Sequence, residues 1–252
     1  SQFLFPLITF SYASRIMMAD GIGQVSFFQS IISYISLFTS LGIPMYAIRE
    51  IAKVRDSPEK MMQITLEILL LYAFLTFFGY IAIAVICMTV TKVQTDIPLF
   101  LLLSISIFFT AIGCEWFYQG IEDFKYVAIR GLIVKIVSVV LLFFLVKTKE
   151  DILWYGAYSV FGIFGGNVFN FIRLRKYLHW NIIDFHMLHP FRHFKPTLYV
   201  FALNVVTSIY LQLNNVLLGF MKNAEAVGYF TVATKIIVIV MSIFGSLSVV
   251  IM

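Results

Sequence analysis

Long apolar segments, separated by short polar connections, run along the whole chain. Each is close to the ~20 residues that a helix needs to cross ~30 Å of hydrocarbon. The segments lack the ten-residue alternation of a membrane β-barrel, and a backbone in lipid must satisfy its own hydrogen bonds, so the pattern predicts helices. We place spans at Phe3–Met18, Val25–Ile48, Ile64–Val90, Pro98–Ile121, Val127–Val146, Ile152–Phe171, Thr197–Phe220 and Gly228–Met252.

The composition agrees with an all-α, polytopic integral membrane protein. The chain is 61% hydrophobic and 12% charged, with a mean hydropathy of +0.94, whereas a soluble domain has about 25% charged residues. The first segment lacks the basic start and cleavage site of a secretory signal, so we interpret it as a genuine span. Because the chain begins with Ser1 and ends inside an apolar segment, we expect it to be truncated at both ends.

The connections carry an uneven distribution of Lys and Arg. On one face lie eleven basic residues, Arg49, Lys53, Arg55, Lys60, Lys125, Arg130, Arg173, Arg175, Lys176, Arg192 and Lys195. On the other face lie four, Lys92, Lys147, Lys149 and Lys222. Since basic loops stay in the cytoplasm, this bias predicts a cytoplasmic N-terminus. The net charge of +5 then indicates contact with anionic lipid head groups, not nucleic-acid binding.

A weak internal repeat predicts the architecture. A shift of 205 positions superposes Gly228 on Gly23 and Ala224 on Ala19. An even number of crossings separates the two copies, which is typical of a parallel repeat of six-helix lobes. Most matched pairs are merely aliphatic, so chance similarity is the alternative. We expect a MATE-like arrangement of a six-helix lobe at 1–171, a cytoplasmic amphipathic connection at 172–196 and the first two helices of a second lobe at 197–252. Two such lobes favour alternating access.

Three cations lie within predicted spans, where a charge costs ~2.5–3.5 kcal/mol on insertion scales. Arg15 either snorkels to the interface, with Asp20 as a partner, or faces a cavity. Lys135 is too deep to snorkel comfortably, so we expect it to face a cavity, and for Lys235 both interpretations remain open. Together these cations suit an anionic cargo such as a phosphate or pyrophosphate, which Lys and Arg bind through charge-assisted hydrogen bonds.

Two carboxylates share the membrane depth. Glu67 lies near the cytoplasmic end of its span, where we expect an ion pair with Arg49 or Lys53. Glu115 could pair with Lys135, or it could take up a coupling proton if burial raises its pKa. The sequence does not separate these alternatives.

The cysteines, histidines and aromatic residues give weaker indications of function. Cys87 and Cys114 have no metal or disulfide spacing and are interpreted as packing residues, so we expect no cofactor. All four histidines fall in the interlobe connection: His179, His186, His189 and His193. The alternation of apolar and basic residues in this connection favours a surface helix over a metal site. The aromatic residues Trp116, Phe117 and Tyr118, with Trp154 and Tyr155 across the membrane, are interpreted as interfacial belts.

Three motifs resemble the Wzx-type flippases of bacterial O-antigen and capsule synthesis. They are Ser14–Ser30, Leu41–Ala52 and Glu115–Tyr126. The resemblance covers most of the chain, the last two motifs are the more specific, and it places Arg15, Arg49, Glu115, Gln119, Gly120, Glu122 and Lys125 at the motif positions.

The resemblance implies a twelve-or-more-helix transporter of the bacterial inner membrane. Such a transporter moves undecaprenyl-pyrophosphate-linked oligosaccharide between leaflets through a cationic cavity formed by two lobes, and it has lipids and, in its pathway, a glycan polymerase and a chain-length regulator as candidate partners. We predict that Arg15, Lys135, Lys235 and Arg49 bind the substrate. A multidrug/cation antiporter of the same superfamily and a membrane glycan polymerase or acyltransferase remain the alternatives.

Overall fold

The computed structural model describes residues 4–177 and 188–251, and in this part of the chain the regular structure is entirely helical. The prediction of an all-helical protein is therefore confirmed. The helices are α1 (Leu4–Ser40), α2 (Ile43–Val54), α3 (Pro58–Thr89), α4 (Thr91–Gln94), α5 (Ile97–Ile112), α6 (Glu115–Gly120), α7 (Phe124–Leu145), α8 (Ile152–Leu174), a 3₁₀ turn (Pro190–His193), α9 (Phe194–Met221) and α10 (Ala224–Ile251).

Several of these helices can cross a bilayer. Among the described residues, the helical segments long and apolar enough to do so are Ile8–Val54, Pro58–Thr89, Ile97–Gly120, Phe124–Leu145 and Ile152–Leu174. The first of them covers most of the first predicted span and all of the second, and the remaining four correspond to spans three to six. The predicted seventh and eighth spans fall on α9 and α10. The chain is thus a multi-pass membrane protein.

Helix α1 bends sharply at Met18, whose backbone has φ 56° and ψ −171°. A straight helix would separate Thr9 from Gln29 by about 30 Å. Instead, Thr9 is hydrogen-bonded to Tyr158, and the Gln29 amide donates to the hydroxyl of the next residue, Ser159, at 2.8 Å. Both arms of α1 therefore reach the same part of α8, as two successive spans would.

The connections around the second span differ from the prediction. Residues 19–24 are helical instead of forming a loop. The span ends at Ser40, not Ile48, because Gly42 adopts a left-handed conformation with φ 70°. Pro44 then stands in the first turn of α2, where its missing N–H costs no helical hydrogen bond.

The fourth predicted span, Pro98–Ile121, is broken in the middle. Cys114 has φ 44° and separates α5 from the short helix α6. The break is held by Asn170 of α8, whose side-chain amide donates to the Gly113 carbonyl oxygen at 2.6 Å. A continuous helix was therefore the wrong prediction here.

The break turns α6 inward. Trp116, Phe117 and Tyr118 are only 4%, 1% and 0% exposed, and they pack with residues of α2 and α3 in a hydrophobic cluster. The interpretation of these three residues as an interfacial belt is therefore wrong. Their aromatic surface stabilises the packing of α6 against the other helices.

Helices α1 and α10 cross in backbone contact. A Cβ atom at Gly23 would overlap the carbonyl oxygen of Ala224, and a Cβ atom at Gly228 would overlap the carbonyl oxygen of Ala19. Only glycine permits so close an approach. The two contacts are reciprocal, since each glycine meets the alanine that lies four residues before the other glycine.

Candidate functional site

A cavity of about 450 Å³ opens between α1, α7, α8 and α10. Two of the predicted cations, Lys135 of α7 and Lys235 of α10, line it together. Among the described residues that line the cavity, none is acidic. The electrostatic character of the cavity is therefore positive, although the walls are otherwise neutral.

The two lysines come from distant parts of the sequence. Lys135 is half-buried on α7, and the Nζ atom of Lys235 lies 4.4 Å from the ring centroid of Phe10 in a cation–π contact. An ammonium group at membrane depth needs water, a partner or an anion to offset the loss of hydration. Because the two ammonium groups share one cavity, an anion placed there would interact favourably with both.

Neutral polar groups complete the wall. Gln29 and Ser159 are hydrogen-bonded across α1 and α8, and the Ser138 hydroxyl donates to the Lys135 carbonyl oxygen at 2.8 Å. A Cβ atom on Gly162 would lie 3.5 Å from the Ser138 hydroxyl oxygen, so α7 and α8 pack closely beside the cavity. Sequence reasoning missed Gln29, Ser138 and Ser159. A single amide or hydroxyl in the middle of an apolar span is the signal that could have identified them.

The structure does not bring Arg15 and Arg49 to this cavity. Arg15 lies on the exposed side of α1, one turn before the bend at Met18, and Arg49 is exposed on α2. Neither belongs to the described lining of the cavity. Of the four cations predicted to bind substrate, Lys135 and Lys235 are therefore the two that the fold places together.

Glu115 lies at the break between α5 and α6. Its carboxylate pairs with the Arg130 guanidinium at 2.7 Å, not with Lys135 as one of the two interpretations expected. The Gln119 amide donates to the other carboxylate oxygen at 3.2 Å. The side chain of Arg130 is only 10% exposed and that of Glu115 is 42% exposed, so the arginine depends more on the pair. Glu115 also borders a second cavity, of about 270 Å³.

The rest of the motif after Glu115 makes structural contacts. A Cβ atom on Gly120 would lie 2.8 Å from the Cβ atom of Ile51, so this glycine allows α6 to pack against α2. Glu122 forms an exposed ion pair with Arg55 at 2.8 Å, and Lys125 is exposed. These positions fix the α2–α6–α7 arrangement outside the cavity.

Glu67 is fully buried on α3, and its partners differ from Arg49 and Lys53. It forms an ion pair with Arg192 and a hydrogen bond of 2.8 Å with the ring of His193, and it accepts the backbone N–H of His189 at 2.9 Å. All three partners belong to the segment just before α9, which no sequence periodicity connects with α3. Lys53 instead pairs with Glu50 at 2.7 Å.

Two of the four histidines, His189 and His193, lie in the part of the chain that the structure describes, and they do not share an exposed face. His179 and His186 lie outside the described residues, as does part of the predicted interlobe helix. His189 is exposed and His193 is buried. In the part of the chain that the structure describes, His, Cys, Asp and Glu side chains form no group of three that could hold a metal ion.

Comparison with known proteins identifies relatives along the whole chain. The family model described as "Polysaccharide biosynthesis protein" matches residues 1–252. A Shigella dysenteriae protein named "Putative O-antigen transporter" is 27% identical over 238 residues, which cover 94% of this chain and 59% of that protein. An Escherichia coli K12 protein of the same name is 25% identical over 152 residues, which cover 60% of this chain and 37% of that protein.

The chain therefore spans about three-fifths of the length of the Shigella relative. No solved structure matches it. The resemblance inferred from the sequence motifs is confirmed by the family match, which extends over every residue of the chain. On this evidence, the chain belongs to the polysaccharide biosynthesis protein family.

Proposed function

We propose that this chain forms part of a flippase that moves undecaprenyl-pyrophosphate-linked oligosaccharide across the bacterial inner membrane. The names of its relatives refer to O-antigen transport, and the resemblance of its sequence motifs to the Wzx-type flippases implies this lipid-linked cargo. The single observation that carries the proposal for this chain is the cavity with Lys135 and Lys235 and without an acidic residue in its described lining.

The chemistry of the cargo explains why such a cavity is useful. A pyrophosphate and a sugar chain are too polar to enter hydrocarbon. A cavity with two ammonium groups and several hydroxyl and amide groups replaces their hydration, while the polyprenyl tail remains in lipid. A multidrug/cation antiporter would favour acidic groups for a cationic cargo, and the described lining contains none. A glycan polymerase or acyltransferase would need a convergent catalytic set, and the described lining of the cavity contains neither a histidine nor a carboxylate for such a set.

The proposed mechanism is alternating access between two lobes. The reciprocal contacts Gly23–Ala224 and Gly228–Ala19 join the same residues that the 205-position repeat superposes. Two elements related by a two-fold axis make such paired contacts, because residue i then meets residue j′ as i′ meets j. The crossing of α1 and α10 therefore supports a pseudo-two-fold axis between a first lobe and a second one that begins with α9 and α10. We infer a cytoplasmic N-terminus from the distribution of basic residues.

The test is substitution of the two lysines in the protein expressed from the complete reading frame. Lys135→Gln and Lys235→Gln should each raise the substrate concentration for half-maximal transport about tenfold or more, since a hydrogen bond to a charged group contributes about 1.5–3 kcal/mol. Transport is measured with a fluorescent pyrophosphate-linked oligosaccharide in proteoliposomes. Lys149→Gln, which removes an exposed lysine between α7 and α8, is the matched control. Unchanged transport in the double variant would contradict the proposal, and export of a cationic dye would favour the antiporter.

A further inference from the structure

Three side chains from separate elements form a continuous hydrogen-bonded chain on the side of the basic connections. The Tyr46 hydroxyl of α2 lies 2.7 Å from Nδ1 of His193. Nε2 of the same ring lies 2.8 Å from Oε2 of Glu67 on α3. His193 is 3% exposed and Glu67 is fully buried. Both ring nitrogens of one buried histidine are thus occupied.

This arrangement accepts the histidine in either charge state. In the neutral ring, Nε2–H donates to Glu67 and the unprotonated Nδ1 accepts the hydroxyl proton of Tyr46. In the protonated ring, Nε2–H still donates to Glu67, and Nδ1–H donates to the Tyr46 oxygen, whose hydroxyl turns away. Both ring nitrogens therefore keep a hydrogen-bond partner in either charge state.

Acidic and basic side chains both lie near the ring. Glu67 faces it from α3, Glu50 lies near Tyr46 on α2, and Arg192 from the 3₁₀ turn pairs with Glu67. The Nε atom of Arg192 also lies 3.3 Å from Nε2 of the ring, and Lys53 pairs with Glu50 at 2.7 Å. Two carboxylates and two cations thus surround the site. The backbone N–H of His189 also donates to Glu67, so the carboxylate remains held when the imidazole is neutral.

The position of His193 gives the proton a mechanical consequence. His193 directly precedes α9, which begins at Phe194, so its contacts with Tyr46 and Glu67 connect the start of α9 to α2 and α3. Helix α9 also lies close to the start of α2, where a Cβ atom on Gly42 would be 2.8 Å from the backbone nitrogen of Phe201. Protonation converts the His193–Glu67 hydrogen bond into an ion pair and so strengthens this connection.

We propose that Tyr46, His193 and Glu67 form a proton-binding site that links α9 to the first lobe. Uptake of a proton holds the start of α9 against α2 and α3, and release of the proton to water loosens it. For its effect on transport, this inference rests on the proposed function. The binding of the proton itself does not.

The direct test is the titration of isotope-labelled histidine by NMR, with the protein from the complete reading frame in nanodiscs, from about pH 5 to 8, where histidine changes charge in ordinary surroundings. One titrating signal should disappear in His193→Gln and persist in His189→Gln. His189→Gln is the matched control because this exposed neighbour contacts Glu67 only through its backbone. Glu67→Gln should shift the midpoint of that signal to lower pH, since it removes the negative charge.

The second test measures transport across the same pH range. The wild-type rate should rise with pH as the connection loosens, His193→Gln should lose this dependence, and His189→Gln should retain it. If a variant does not fold, the wild-type titration with and without Tyr46→Phe still decides whether the ring binds a proton at this site. A His193 ring that keeps one charge state throughout, or a pH dependence that survives His193→Gln, would overturn the proposal. Failure of Lys135→Gln and Lys235→Gln to affect transport would instead reject the function.

Discussion

Single charged residues within apolar helices gave the most useful functional information in this chain. Lys135 was expected to face a cavity because of its depth, and both it and Lys235 line one. The same reasoning did not distinguish Arg15, because the bend at Met18 determines which side of α1 faces α8, and a methionine gives no sequence signal for a backbone φ of 56°.

The two carboxylates within the predicted spans, Glu67 and Glu115, show what sequence alone could not provide. Glu67 lies between partners from 189–193, more than 120 residues away along the chain, and only the tertiary fold brings them together. Glu115 pairs with Arg130, which the charge distribution places in a connection but which lies inside α7. The sequence therefore predicts that a charged residue within a span needs a partner, but it does not identify that partner.

The Glu115–Arg130 pair allows a prediction about stability. Glu115→Gln leaves a nearly buried guanidinium without its anion, whereas Arg130→Gln leaves a carboxylate that is half exposed. Glu115→Gln should therefore lower the thermal unfolding midpoint more than Arg130→Gln, and the double variant should recover part of that loss. Unfolding is followed by fluorescence in nanodiscs. Arg55→Gln, which breaks the exposed pair with Glu122, should have little effect. Equal and additive losses would show that the two residues do not interact.

At the scale of whole helices, hydropathy predicts well where each helix lies, but it does not predict where a helix is interrupted. The spans predicted at Val127–Val146 and Ile152–Phe171 end within three residues of α7 and α8. The break at Cys114 has no such signal, because a left-handed cysteine is stabilised by contacts from another helix, above all the Asn170 amide on Gly113. The length of an apolar segment reflects the need of the backbone to form its own hydrogen bonds across the lipid, whereas a break in a helix depends on contacts with neighbouring helices.

The α1–α10 crossing leads to a prediction at this scale. Gly23→Ala and Gly228→Ala should each destabilise the protein, since the added methyl group would overlap a backbone carbonyl oxygen that cannot move aside. Gly131→Ala is the matched control, because a Cβ atom there meets nothing within 4 Å. In a helix this change should be neutral or stabilising by up to about 1 kcal/mol. The readout is again the thermal unfolding midpoint. Gly23→Ala as stable as Gly131→Ala would mean that the helices do not touch at this point.

For the whole molecule, the orientation in the membrane remains a prediction from charge. Cysteines at Lys60 and Lys149, introduced after Cys87 and Cys114 are replaced by Ala, should react differently with a membrane-impermeant maleimide in spheroplasts. Lys149→Cys should be labelled in intact spheroplasts, and Lys60→Cys only after permeabilisation, because positive loops remain inside. Both positions are exposed. The reverse pattern would contradict the predicted cytoplasmic N-terminus.

The meeting of Gly23 and Gly228 on opposite alanine carbonyls has a consequence for how tightly the bilayer stays sealed. Because no side chain lies between the two backbones at this contact, the helices can rotate about it. If the lobes move as proposed, a gap that widens on one side of the crossing must narrow on the other. Under the proposed function, the cargo would then pass without a continuous pore that leaks protons or ions.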